Sequence, residues 1–161
     1  MIRHHAITTD TLHLIANSDA VTKALAWLDH ISNRELWSEA LRFSLSISLD
    51  EALTNIVSHG LKNIPSMNRD SLTKNASTLS KISITCLIKP HKIQLEISDN
   101  GFRYDPTTSA LPTLAESIEH ANIGGLGLRL MHHYLSEISY FYRNKKNYLI
   151  LSKLVDSATT N

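Results

Sequence analysis

Glu51, Asn55 and His59 recur at intervals of four, so on a helix they share one face. An amide oxygen one turn from a carboxylate can take a hard cation such as Mg2+, which prefers oxygen ligands, keeps several waters and completes its shell with phosphates. The same three residues would also serve as a solvated helix face, although asparagine is a mediocre helix former. A second group is Asp99-Asn100-Gly101, at the end of an apolar strand-like run. It is strong turn chemistry. It is equally a carboxylate able to accept a hydrogen bond from an exocyclic amine, with Gly101 letting a flat ring lie against the backbone. The third group is Gly124-Gly125-Leu126-Gly127, which holds three of the five glycines of the chain.

Directly after Gly127 comes the helix-favouring run Leu128, Leu130, Met131, Tyr134 and Leu135. Glycines that open a helix leave free N–H groups at the positive end of its dipole, a ready site for phosphate. Two better-known glycine loops do not fit. A Walker A loop needs a lysine after its last glycine, and none follows. A dinucleotide fingerprint needs a preceding strand and a third glycine where Leu130 stands. Close packing of a helix on a sheet is the other use such glycines have.

The elements that must carry these groups are legible in outline. Residues 11–16 alternate as a first strand, Asn17 to Asp19 supply cap chemistry, and Ala20–Ile31 reads as an amphipathic helix broken by Ser32 and Asn33. A longer helix is expected from about Glu35 to His59, with Gly60 in the usual stop position and an apolar stripe of Leu41, Leu45, Leu49, Ala52, Leu53 and Ile56. Residues 61–80 read as a loop. Residues 81–89 and 92–98 form a hairpin, and the Ser/Thr/Pro-rich stretch 107–123 beside the glycines is a candidate lid. A helix over Leu126–Leu135, strands over 137–142 and 147–154, and a disordered tail 155–161 complete the chain. This order predicts an α/β two-layer sandwich: a mixed, mostly antiparallel sheet with helices on one face.

Composition narrows the function. With 161 residues the chain is read as a single domain, and 16 basic against 15 acidic residues imply no nucleic-acid partner. The single cysteine, Cys86, allows no intrachain disulfide and lies in an apolar strand, as a small core residue would. No apolar run reaches membrane-spanning length and no signal peptide is evident, so a cytoplasmic protein with no membrane partner is expected. The nine histidines suggest no metal site: His132 and His133 are adjacent and point apart on a helix.

Taken together, the segments Leu49–Gly60, Asp99–Pro106 and Gly124–Met131 resemble the ATP-binding boxes of GHKL ATPases. Within that superfamily they resemble the anti-sigma-factor serine kinases of the RsbW type, over about residues 10–154 including the closing hairpin Glu137–Lys153. The resemblance implies a Bergerat-type fold and a set of roles. Glu51 is the general base and Asn55 the Mg2+ ligand. Asp99 and Gly101 read adenine, with Ser152 adding a water-mediated contact. Gly124, Gly125 and Gly127, with Leu126 among them, cradle the phosphates of ATP. Members of this family phosphorylate a serine or threonine on a STAS-domain anti-sigma antagonist, and many sequester a sigma factor as a homodimer. A non-catalytic ATP-binding module holding a sigma factor or STAS partner is the alternative reading. Two departures from the family stand out: Arg103 replaces a frequent second glycine, and the 61–80 loop is long.

Overall fold

Alternation in two short segments sets the register of the sheet. Ile82, Ile84 and Cys86, like Ile93, Leu95 and Ile97, point to one face, and all six are buried. In the computed structural model, which describes residues 7–62, 80–108 and 124–156, they belong to β2 (Lys81–Lys89) and β3 (Lys92–Asp99). β1 (Thr8–Ile15) pairs with β2, while β5 (Lys146–Leu154) lies between β3 and β4 (Glu137–Arg143). The order is β1-β2-β3-β5-β4 and every pairing is antiparallel.

The sheet is therefore not mixed, as expected from the sequence, and β5 is the reason. A helical crossover from β3 to β4 would ordinarily leave parallel neighbours. Here the β4–β5 hairpin folds back and β5 takes the place between them. Its turn residues Asn144 and Lys145 have φ of 52° and 58°, as a two-residue turn matched to the sheet twist requires.

Among the described residues three helices cover the apolar face: α1 (Ala20–Arg34), α2 (Glu39–Lys62) and α3 (Gly124–Tyr134). α2 packs between the other two. It buries Leu41, Leu45, Leu49, Ala52, Leu53 and Val57, and Ile56 is only half-buried beside them. α1 does not stop at Ser32 and Asn33 but continues to Arg34. Its end is closed by Leu36 N–H on Asn33 O (3.4 Å) and Trp37 N–H on Ser32 O (3.0 Å), with Leu36 at φ 54°. These bonds satisfy the last carbonyls of the helix in the pattern usually built on glycine. α2 then starts at Ser38, whose Oγ accepts the Leu41 N–H at 3.3 Å. It also runs on through Gly60 rather than ending there. The Arg34 guanidinium clamps both oxygens of Asp10 at 2.9 and 2.6 Å, tying α1 to β1 and lowering the Asp10 pKa. Cys86 is wholly buried and its thiol is pushed up to about 12 by that burial, so it is a core residue. Most of the 61–80 loop, residues 109–123 of the expected lid and the tail beyond Asp156 lie outside the described residues. Among the described residues no helix is long and apolar enough to cross a membrane.

Candidate functional site: a cleft between α2 and the sheet

The face of α2 beside its apolar stripe carries the first two predicted residues. Asn55 Nδ2 donates to Glu51 Oε1 at 3.0 Å, one helical turn apart. The bond uses the amide nitrogen, so the carbonyl oxygen of Asn55 is the end not committed to Glu51. Both residues are half-buried, which separates them from a fully solvated face.

Across from them stands the glycine segment. Gly124, Gly125, Leu126 and Gly127 do not precede α3 as a loop; they are its first four residues. Gly127 is buried, and a Cβ built on it would lie 1.7 Å from Glu51 Cδ and 2.1 Å from each carboxylate oxygen. The missing side chain is the space that Glu51 occupies. Glu51 is thereby held between its own helix and the N-terminus of α3, where helix N–H groups are free.

Asp99 is the last residue of β3 and faces the helices, being only 6% exposed. Its Oδ1 accepts two bonds, from Gly101 N–H at 2.8 Å and from Asn147 Nδ2 at 3.1 Å. Burial raises the Asp99 pKa, and these two donors oppose the rise by favouring the ionised form. Gly101 is needed for steric reasons: a Cβ there would meet Asp99 Oδ1 at 2.8 Å and Ser80 Oγ at 3.0 Å. The arm after it is pinned by Asp105, whose Oδ1 accepts Thr107 N–H at 2.9 Å and Thr107 Oγ1–H at 2.6 Å.

A cleft opens here, lined by Asn55, Ile56, Asp99, Gly101, Tyr104 and Leu149 among others. It is mostly apolar with a few polar groups converging, the usual character of a small-molecule site. Asn55 borders the cleft and also holds Glu51, so the carboxylate at one end and Asp99 at the other belong to one continuous site. These residues also fit a metal and a nucleotide. One amide oxygen and one carboxylate suit a cation that takes most of its ligands from water and phosphate. Among the described residues no three of His, Cys, Asp and Glu gather into a cage of their own.

One predicted site residue is elsewhere. Ser152 pairs in register with Gln94 and Glu137, on the sheet face opposite Leu149 and Leu151. Its buried Oγ has no partner, and it does not line the cleft. Strand parity turns it away from the face that lines the cleft. The residue on β5 that does reach Asp99 is Asn147, in register with it. The sequence assigns it no site role, because it reads only as the first residue of the last strand, directly after the turn 143–146. The signal that could have found it is the same parity: 147, 149 and 151 share the inward face.

The comparisons with known proteins agree with this geometry. Residues 14–153 match the histidine kinase-like ATPase domain family. The chain is 40% identical over 144 residues to the serine/threonine-protein kinase BtrW of Bordetella bronchiseptica, covering 89% of this chain and 92% of that one. It is 29% identical over 136 residues to the serine-protein kinase RsbW of Listeria monocytogenes, covering 82% and 78%. Among solved structures its fold resembles the SiaB–SiaC complex of Pseudomonas aeruginosa, with a TM-score of 0.59 at 12% identity over 91% of this chain and 88% of that one. With the matched segment running from the end of β1 through nearly all of β5, the chain belongs to the histidine kinase-like ATPase family, in the group that holds the protein kinases BtrW and RsbW.

Proposed function

We propose that the chain is an ATP- and Mg2+-dependent serine/threonine protein kinase, an anti-sigma-factor-like switch acting on a STAS-domain antagonist. The observation that carries this reading is the Glu51–Asn55 pair. The two are bonded at 3.0 Å, seated against Gly127 of the glycine segment, and continuous with the Asp99 cleft. Asp99 accepts the adenine amine while Gly101 keeps the ring's approach open. The first turn of α3, Gly124 to Gly127, offers N–H groups to the phosphates. Asn55 lends its amide oxygen to Mg2+, and the bound ion neutralises phosphate charge.

Glu51 is the general base. The acceptor hydroxyl oxygen bonds to the γ-phosphorus as the bond from that phosphorus to the β–γ bridging oxygen breaks. ADP departs, and the hydroxyl proton goes to the Glu51 carboxylate. The relatives named above are protein kinases, which supports a protein hydroxyl rather than water as acceptor. A STAS-domain antagonist, a sigma factor held in alternation with it, a homodimeric state and a cytoplasmic location extend the same reading.

Transfer of labelled phosphate from ATP to a purified STAS-domain protein of the same organism tests it. Glu51→Gln should slow transfer about 10²–10⁴-fold while ATP affinity stays within about threefold, because a general base acts only in the chemical step. Tight ATP and partner binding by the wild type with no transfer to any such protein would leave a non-catalytic binding module instead.

A further inference from the structure

Asn147 makes four hydrogen bonds from one buried amide. Its Nδ2 donates to Asp99 Oδ1 at 3.1 Å and to Phe102 O at 2.9 Å. Its Oδ1 accepts from Tyr104 N–H at 3.2 Å and from the Tyr140 hydroxyl at 2.8 Å. The donors and acceptors of the side chain are thus all used, at 6% exposure. Exchanging its oxygen and nitrogen would lose the bonds to Asp99, Phe102 and Tyr104, leaving only the Tyr140 hydroxyl able to turn and accept, so the amide has a single orientation. It spans three parts of the cleft wall: the end of β3, the backbone arm 102–104, and β4.

We propose that Asn147 is a positioning residue that ties the adenine-reading Asp99 to the arm 102–104 and favours the ionised, accepting form of its carboxylate. The inference rests on the nucleotide reading given above. An N–H pointed at Oδ1 is bound more strongly by the ionised carboxylate, where the bond is charge-assisted, than by the neutral acid. With Oδ1 receiving both Asn147 and Gly101, Oδ2 is the oxygen those two bonds leave for an incoming amine. The same amide holds Phe102 O and Tyr104 N–H, and Phe102, Tyr104 and Pro106 line the cleft. Adenine recognition and the shape of the arm therefore share one side chain. A hydrophobic residue here would leave the Asp99 charge, the Phe102 carbonyl and the Tyr104 N–H each short of a partner. The ionisable groups around this cluster are Tyr140 on β4, Arg103 and Asp105 on the arm, and Glu51 on α2 behind Asn55. Of these, Tyr140 carries the direct bond to Asn147 and feels the Asp99 charge.

Calorimetric ATP affinity measured against pH tests this tie. In the wild type, affinity should fall as acid protonates Asp99. In Asn147→Leu, affinity at neutral pH should drop about tenfold, the scale of one charged hydrogen bond, and the midpoint of the acid limb should move to higher pH. Asn147→Ser, which keeps a donor on a shorter stem, should restore much of the midpoint. Tyr140→Phe removes the bonds to Asn147 Oδ1 and to Arg103 but leaves both Nδ2 bonds, and should leave the midpoint where it is. The titration of ATP itself is common to all four proteins and cancels. A uniform loss of affinity in Asn147→Leu with an unmoved midpoint would overturn the proposal, as would equal midpoint shifts in Tyr140→Phe. If Asn147→Leu fails to fold, the serine and phenylalanine variants decide by the same midpoints. A wild type that binds no ATP would instead refute the nucleotide reading.

Discussion

Gly127 is the residue at which the two halves of the site meet. Its conformation is ordinary, with no positive φ, so space and not backbone freedom is what it provides. A methyl group there would overlap the Glu51 carboxylate, and something must move. Gly127→Ala should therefore displace Glu51 and lower the phosphotransfer rate by at least about tenfold while ATP binding changes less, because the lost geometry is that of the base. Single-turnover transfer beside calorimetry checks this, and equal losses in both would return Gly127 to a plain phosphate-binding role. Asn55→Ala, a half-buried change off the apolar stripe, should keep the fold and remove the Mg2+ dependence of tight ATP binding. A magnesium titration that matches the wild type would count against Asn55 as a ligand. At this scale the sequence was readable wherever residue type was unusual for its context: an asparagine inside a helix, a carboxylate closing an apolar strand, glycines crowded into one stretch. It was unreadable at Asn147, where nothing marks the first residue of a strand as a partner of Asp99, and Ser152, given a role by the resemblance alone, lies off the face that lines the cleft.

Among the elements, α2 is the one on which the site depends, since a single helix presents the apolar stripe to the core and Glu51 with Asn55 to the cleft. Its boundaries were the least legible part. The sequence places a break at Ser32–Asn33 and a restart at Glu35, but α1 continues to Arg34 and is closed by Leu36 at φ 54°. Nothing in a leucine announces a left-handed residue; the bonds to Ser32 and Asn33 carbonyls and the burial of Trp37 hold it there. Gly60 misled in the opposite direction, because one glycine in a long helix costs only about 1 kcal/mol and does not have to end it. Leu36 is 66% exposed, so it gives up little packing in return for its strain. Leu36→Gly should stabilise the protein by about 0.5–1 kcal/mol, the left-handed penalty less the entropy glycine adds to the unfolded chain. Denaturant unfolding with an unchanged slope would measure it, and a loss of stability would mean that the leucine side chain packs on something that matters.

Across the whole molecule, function and stability pull against each other at Asp99. The sheet, its three covering helices and their common core follow from simple alternation and helical stripes, which is why the architecture was legible even though the pairing order was not. That core takes in a carboxylate at 6% exposure, which the function proposed above assigns to recognition. Its raised pKa means the folded state binds the proton more tightly than the unfolded chain does, so ionised Asp99 subtracts from stability at neutral pH. The penalty is fully present above the folded pKa and fades as pH falls through it toward the unfolded value. Asp10 has the opposite sign: its pKa is lowered by Arg34, and the stability it adds is lost as pH falls through that lowered value. Asp99→Asn keeps an oxygen for Gly101 N–H and Asn147 Nδ2 but carries no charge. It should raise the melting temperature at neutral pH, by about 2–4 °C for each kcal/mol gained in a chain of this size. The gain should shrink as pH is lowered and Asp99 in the wild type takes up its proton. The same variant should weaken ATP binding far more than GTP binding, because an amide in that place presents a donor to the adenine amine. Melting curves and nucleotide titrations on one preparation test both halves. A variant that is no more stable than the wild type at neutral pH, yet has lost ATP, would show that Asp99 is held without cost and that burial alone does not set its pKa.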